Sequence, residues 1–208
     1  MGRRYQLLLA VVVASFLTAG VAQAGIPDPA LSDVPNVLVV PGGALEYIVT
    51  VNGSEGPIDT ALVELVFSTE VNGILAWCVG QTTGTISALT DANGEASFFI
   101  AAGGCVDAAL VSSPPAVRVF AKGIELAQVG VVSPDAVDGD GVPPTGGWNI
   151  TTGSLAEVGL SDASVHTPPV KDGTYSYCTD FNSDGAVDLS DASIMTPSIK
   201  DGSNCTAQ

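Results

Sequence analysis

One fourteen-residue phrase is written twice near the end of this chain. LSDASVHTPPVKDG runs from Leu160 to Gly173, and LSDASIMTPSIKDG runs from Leu189 to Gly202. The copies stand 29 residues apart and agree at ten of their fourteen positions. The repeat divides the back of the chain into two related units. Immediately before the second copy ends its first turn stands DFNSDGAVDLSD, Asp180 to Asp191. This reads as a twelve-residue calcium loop. Asp180, Asn182 and Asp184 fill positions 1, 3 and 5, and Gly185 stands at position 6, where the chain must turn sharply. Ala186 offers its backbone carbonyl at position 7, Asp188 acts through water at position 9, and Asp191 closes the shell at position 12. Calcium takes six to eight oxygen ligands, and this spacing supplies them from one short segment. Val187, at position 8, is expected in the core.

The doubled loop, the Asp at position 12 and the phrase VDLSD together resemble dockerin modules. The resemblance covers residues 133 to the end. It implies a small α-helical, EF-hand-like domain with two loop-helix repeats, calcium as cofactor, and docking onto a cohesin-like domain of a scaffold or cell-surface protein. By the same family association, the setting would be extracellular polysaccharide degradation. Ser161 and Ser190, at position 11, match polar partner-contacting positions of that family. Leu160 and Leu189, at position 10, do not match its polar choice and are expected in the core.

The first repeat departs from the pattern. Counting back from Asp162 as position 12 places Thr151, Gly153 and Leu155 at positions 1, 3 and 5, and none is a carboxylate. SPDAVDGDGV lies upstream, carrying Asp135, Asp138 and Asp140. Two alternatives follow. Either Asp135, Asp138 and Asp140 meet Asp162 across an insertion and form a second metal site, or the repeat is metal-free and kept for packing. The helices after each loop are expected to be short, because Pro168 and Pro197 lack an amide hydrogen and disfavour helical geometry in the preceding residue. Leu189, Ala192, Ile194 and Met195 are the expected inward residues. His166 takes the place of Met195, so it reads as a packing residue, not a ligand or base.

The front of the chain has a different period. In LEYIVTV, Leu45, Tyr47, Val49 and Val51 fall on one face; in AVRVFAKG, Val117, Val119 and Ala121 do. Turn signals recur between such runs, at Pro41-Gly42-Gly43, Asn52-Gly53, Asn72-Gly73, Asn93-Gly94 and Gly103-Gly104. Alternation with frequent turns predicts an antiparallel β-sandwich over 25–132. TDANGEASFFI, Thr90 to Ile100, resembles the hairpin of bacterial immunoglobulin-like domains of the invasin type, which implies a spacer or binding platform. The expected fold is therefore mostly β: an immunoglobulin-like sandwich followed by a dockerin-like domain over 133–208.

No catalytic constellation appears. The front region has no histidine, so no Ser-His or Cys-His pair can form within it. Glu64, Glu70 and Glu95 read as a solvated face and not as glycosidase carboxylates. The chain is expected not to be an enzyme. Two other functions remain open: a calcium-stabilised structural protein of a cell surface or matrix without a cohesin partner, and a carbohydrate-binding module built on Tyr47, Tyr175, Tyr177, Trp77 and Trp148.

The opening residues locate the protein. Arg3 and Arg4 precede an apolar run from Leu7 to Leu17, and Ala22-Gln23-Ala24 supplies a cleavage signal. Residues 1–24 read as a secretory signal peptide, after whose removal no membrane insertion is expected. The formal net charge of −16 argues against nucleic-acid partners and suits cation binding. The four cysteines, Cys78, Cys105, Cys178 and Cys205, suggest disulfides in an exported protein. Three pairings are possible. Separation favours Cys78 with Cys105 and Cys178 with Cys205, each inside one expected domain.

Overall fold

The computed structural model describes residues 25–107, 116–136 and 155–208. The expected signal peptide lies outside the described residues, as do Asp138, Asp140 and Trp148. The chain is mostly β with few helices. Its strands are β1 (Val37–Leu38), β2 (Glu46–Thr50), β3 (Asn52–Gly53), β4 (Gly56–Pro57), β5 (Leu62–Phe67), β6 (Ala76–Trp77) and β7 (Thr85–Leu89). There follow β8 (Glu95–Phe99), β9 (Ala102–Gly103), β10 (Val117–Ala121), β11 (Ile124–Val129), β12 (Val131–Val132), β13 (Leu155–Glu157) and β14 (Asn204–Thr206). The α-helices are α1 (Thr69–Ile74), α2 (Leu160–Asp172) and α3 (Leu189–Asp201).

The largest sheet has the order β11-β10-β5-β7, and β2 pairs with β8. Both are antiparallel. The short β1–β12 pair is parallel, a departure from the antiparallel expectation. Alternation explains the core. Tyr47, Val49 and Val51 are buried from β2 and its end, as are Val63, Leu65 and Phe67 from β5 and Val117, Val119 and Ala121 from β10. Burying such side chains contributes roughly 1.5–3 kcal/mol each. The Asn93-Gly94 turn forms as expected. Asp91 accepts the backbone N–H of Asn93 at 2.8 Å and of Glu95 at 3.0 Å. Gly94 has φ +79°, and a Cβ there would meet the Val51 carbonyl oxygen at 2.5 Å, so only glycine fits. Asn72-Gly73 is not a turn but lies in α1. Ser68 starts that helix, its side chain accepting from the Val71 N–H at 3.1 Å.

The back segment packs against the front one. Val158, Phe181 and Met195 belong to the same core cluster as the strand residues. The disulfides cross between the two segments, joining Cys78 to Cys205 and Cys105 to Cys178. This corrects the expected pairing. Pairing of β6 with β9 brings the segments before Cys78 and Cys105 side by side. The end of the chain then docks beside them: Cys78 bridges Ala207, and Gln208 donates its backbone N–H to Trp77 at 2.8 Å. Sequence separation favoured local bonds, and tertiary packing overrode it. No described helix is long and apolar enough to cross a membrane.

Both repeat helices run thirteen residues, straight through Pro168, Pro169 and Pro197, so the expectation of short helices fails. A proline removes the hydrogen bond to the carbonyl four residues earlier. For Pro168 and Pro197 those carbonyls belong to Ser164 and Ser193, which are exposed, so water can replace the lost donor. The helices end instead at Gly173 and Gly202, with φ of 63° and 60°.

Candidate metal loop and its repeat

The loop before α3 is closed by its own carboxylates. Asp180 accepts the backbone N–H groups of Asp184 and Gly185, both at 3.1 Å. Asp184 accepts from Ala186 at 2.9 Å. Asp191 turns one oxygen to Phe181 N–H at 2.7 Å and the other to Asp188 N–H at 2.9 Å, joining the two ends of the loop. Asp188 accepts from Ser190 N–H at 2.7 Å, capping α3. Gly185, with φ +82°, makes the turn that position 6 requires. Val187 is buried as expected.

Asp180 and Asp191 are only 2% and 0% exposed. Burial raises the Asp180 carboxyl above the usual range, and the nearby Asp191 and Asp184 charges push the same way, against the amides of Gly185 and Asp184. The loop holds four aspartates and no basic residue. Its donors are all oxygens, so the residue set fits a hard divalent cation. Among the described residues no group of three or more His, Cys, Asp or Glu is gathered closely enough to hold a metal ion. The carboxylates are engaged with backbone amides instead.

The first repeat has the same frame. Asp162 accepts from Gly159 N–H at 2.7 Å, as Asp191 does from Asp188. Its other oxygen accepts from Ala136 N–H at 2.7 Å, as Asp191 does from Phe181. Ala136 therefore stands where Phe181 stands, and Asp135 where Asp180 stands. Asp135, like Asp180, is buried. The structure thus brings two of the four expected split-site residues to equivalent positions across the insertion.

His166 ties the two loop starts together. Its Nε2 faces the Pro134 carbonyl at 3.1 Å and its Nδ1 faces Thr179 Oγ1 at 2.9 Å. A carbonyl only accepts, so Nε2 carries the proton and Nδ1 accepts from the threonine hydroxyl. Burial pushes the imidazole down to about 4, outweighing the opposing influence of the Pro134 carbonyl and Asp162. The ring also packs edge-on against Phe181, at 5.1 Å. It is a packing and bridging residue.

Leu160 and Leu189 correct the expectation that they lie in the core. They are 82% and 80% exposed. The buried line of α3 is Asp191, Met195 and Ser198, and Leu189 points away from it. Ala192 and Ile194 are half-buried, and Met195 is buried as expected. Ser161 and Ser190 are exposed beside the two leucines. Leu189 lines a groove of about 550 Å³ with Thr167, Val170, Lys171, Ala192 and Met195. Of the aromatics considered as a carbohydrate platform, Tyr47 and Trp77 are buried in the core and Tyr175 is exposed. Compared with known proteins, the chain matches no family model, no curated protein and no solved structure.

Proposed function

We propose that this is a secreted, non-catalytic adaptor. Its front region is an immunoglobulin-like sandwich, and its back region is a dockerin-like pair of repeats that folds around calcium and docks onto a cohesin-like partner. Asp180, Asn182, Asp184, the Ala186 carbonyl, Asp188 and Asp191 hold the ion, with Asp188 acting through water. Asp135 and Asp162 contribute to a second site with Asp138 and Asp140. The docking surface is formed by the starts of α2 and α3, around Ser161 and Ser190. Extracellular polysaccharide degradation is the setting implied by the family resemblance.

The observation that supports docking onto a partner is the repeated display of Leu160 and Leu189, at the position where the resembled family is polar. Two apolar side chains at equivalent positions, each largely presented to solvent and one lining an open groove, are well suited to burial by a partner. Titration of the full chain with a cohesin domain, in calcium and then in chelator, tests it. Calcium-dependent binding that weakens in Leu160→Ser and Leu189→Ser is expected. Tight calcium binding with no cohesin affinity would overturn the docking reading.

A second reading rests on the crossed disulfides. They bolt the back segment to the front at two points, which also suits a calcium-stiffened structural element of a cell surface or matrix. In that case the chelator lowers stability and cohesin does not bind.

A further inference from the structure

The second repeat is bracketed by cysteines, and both reach to the front segment. Cys178 bonds Cys105, and Cys205 bonds Cys78. The surroundings of the two bridges differ. Cys178 lies two residues before Asp180, the first residue of the candidate metal loop. Phe181, second in that loop, is buried in the shared core. Ser183, fourth, accepts the backbone N–H of Asn36 at 2.8 Å from the far side of the chain. Asp191, twelfth, closes back onto Phe181. Cys178 therefore cannot swing away from Cys105 without disturbing the start of the loop. Cys205 sits in β14, paired to β13, and its neighbours Ala207 and Gln208 are fixed to Cys78, Trp77 and Gln81. None of those contacts involves the loop.

We propose that calcium in the Asp180–Asp191 loop shields the Cys105–Cys178 disulfide from reduction, and that this disulfide in turn raises the loop's affinity for calcium. The inference rests on the calcium reading given above. Reduction proceeds by exchange. A thiolate of a dithiol reductant attacks one sulfur and displaces the other as a thiolate. The reductant's second thiolate then attacks the mixed disulfide and releases the remaining cysteine. Two electrons and two protons pass to the cysteine pair, and the reductant leaves as a cyclic disulfide.

Cys105 is buried and Cys178 half-buried, so full in-line access of a reductant to the bridge needs a local opening. An opening that must release calcium is suppressed by the factor 1 + [Ca]/Kd, up to about 100-fold when calcium is about 100 times its Kd. The Cys78–Cys205 bridge opens by a route that leaves the loop in place, so its rate should change by no more than about twofold. Linkage is reciprocal, so the oxidised bridge tightens calcium binding by the same factor by which calcium disfavours the reduced form.

The test uses the full oxidised chain. Calorimetric titration with calcium chloride comes first. The protein is then treated with dithiothreitol in calcium or in chelator, quenched by alkylation, and each bridge is quantified by mass spectrometry. The expected result is calcium binding, with reduction of Cys105–Cys178 slowed at least about tenfold relative to Cys78–Cys205. Calcium binding with equal rates in both buffers, or equal protection of both bridges, overturns the linkage alone. Absence of calcium binding overturns the linkage together with the reading beneath it. As a second arm, Cys105→Ser with Cys178→Ser should bind calcium more weakly than the parent, and unchanged affinity would contradict the proposal.

Discussion

Asp162 accepts the backbone N–H of Ala136 at 2.7 Å, across 26 residues of chain. One carboxylate thereby joins the two separated parts of the first repeat, as Asp191 joins the ends of the second loop. Removing it would leave the Ala136 and Gly159 amides without their acceptor. Asp162→Ala should cost roughly 3–6 kcal/mol, the sum of two lost charge-assisted bonds to a buried group. Urea unfolding in chelator measures this without any contribution from metal. A loss below about 0.5 kcal/mol would show that the carboxylate does not hold the repeat together.

His166 predicts a pH dependence. Its folded pKa of about 4 lies below the unfolded value of 6.5, so the unfolded chain binds the extra proton between those limits. Stability from the neutral imidazole is complete above pH 6.5 and falls as pH drops towards 4. The loss is on the order of 3 kcal/mol. His166→Met, which copies the residue of the second repeat, should flatten that part of the stability profile. An unchanged slope in the variant would assign the acid sensitivity to carboxylates instead.

The disulfide connectivity predicts a peptide map. Digestion without reductant should release linked peptides containing Cys78 with Cys205 and Cys105 with Cys178. Replacing both members of the first pair with serine opens a link spanning 127 residues. That should cost about 2–5 kcal/mol in thermal or chemical unfolding. Recovery of Cys78 linked to Cys105 would contradict the packing of the back segment on the front.

Leu160 and Leu189 predict the opposite of a core residue's behaviour. Leu160→Ser and Leu189→Ser should each change stability by less than about 0.5 kcal/mol, where a buried leucine would cost about 2–5. Unfolding midpoints decide between the two.

These leucines also show where sequence reading stops. Hydrophobicity placed Leu189 inside and left Asp191 to a metal. In α3 the inward line begins with Asp191 itself, because its carboxylate satisfies the Phe181 amide, which would otherwise be buried unpaired, and also holds the Asp188 amide. Leu189 stands two residues away, roughly 200° around the helix, and is forced outward. The strand faces were legible, since alternation in β2 and β10 maps directly onto burial. So was the turn at position 6 of the second loop, fixed by Gly185. The cysteine pairing was not legible, because it depends on how β6, β9 and the chain end meet, which no local pattern encodes. Asp135 was visible only as one acid among several. Its equivalence to Asp180 emerged from the neighbouring amide of Ala136 and not from any side-chain spacing.

Calcium titration of the full oxidised chain tests the central claim most directly. Isothermal calorimetry should show calcium binding by the parent protein, accompanied by a rise in the unfolding temperature that chelator reverses. Asp180→Asn and Asp191→Asn should each abolish binding at the second loop. A parent protein that takes up no calcium and unfolds at the same temperature in calcium and in chelator would contradict the account.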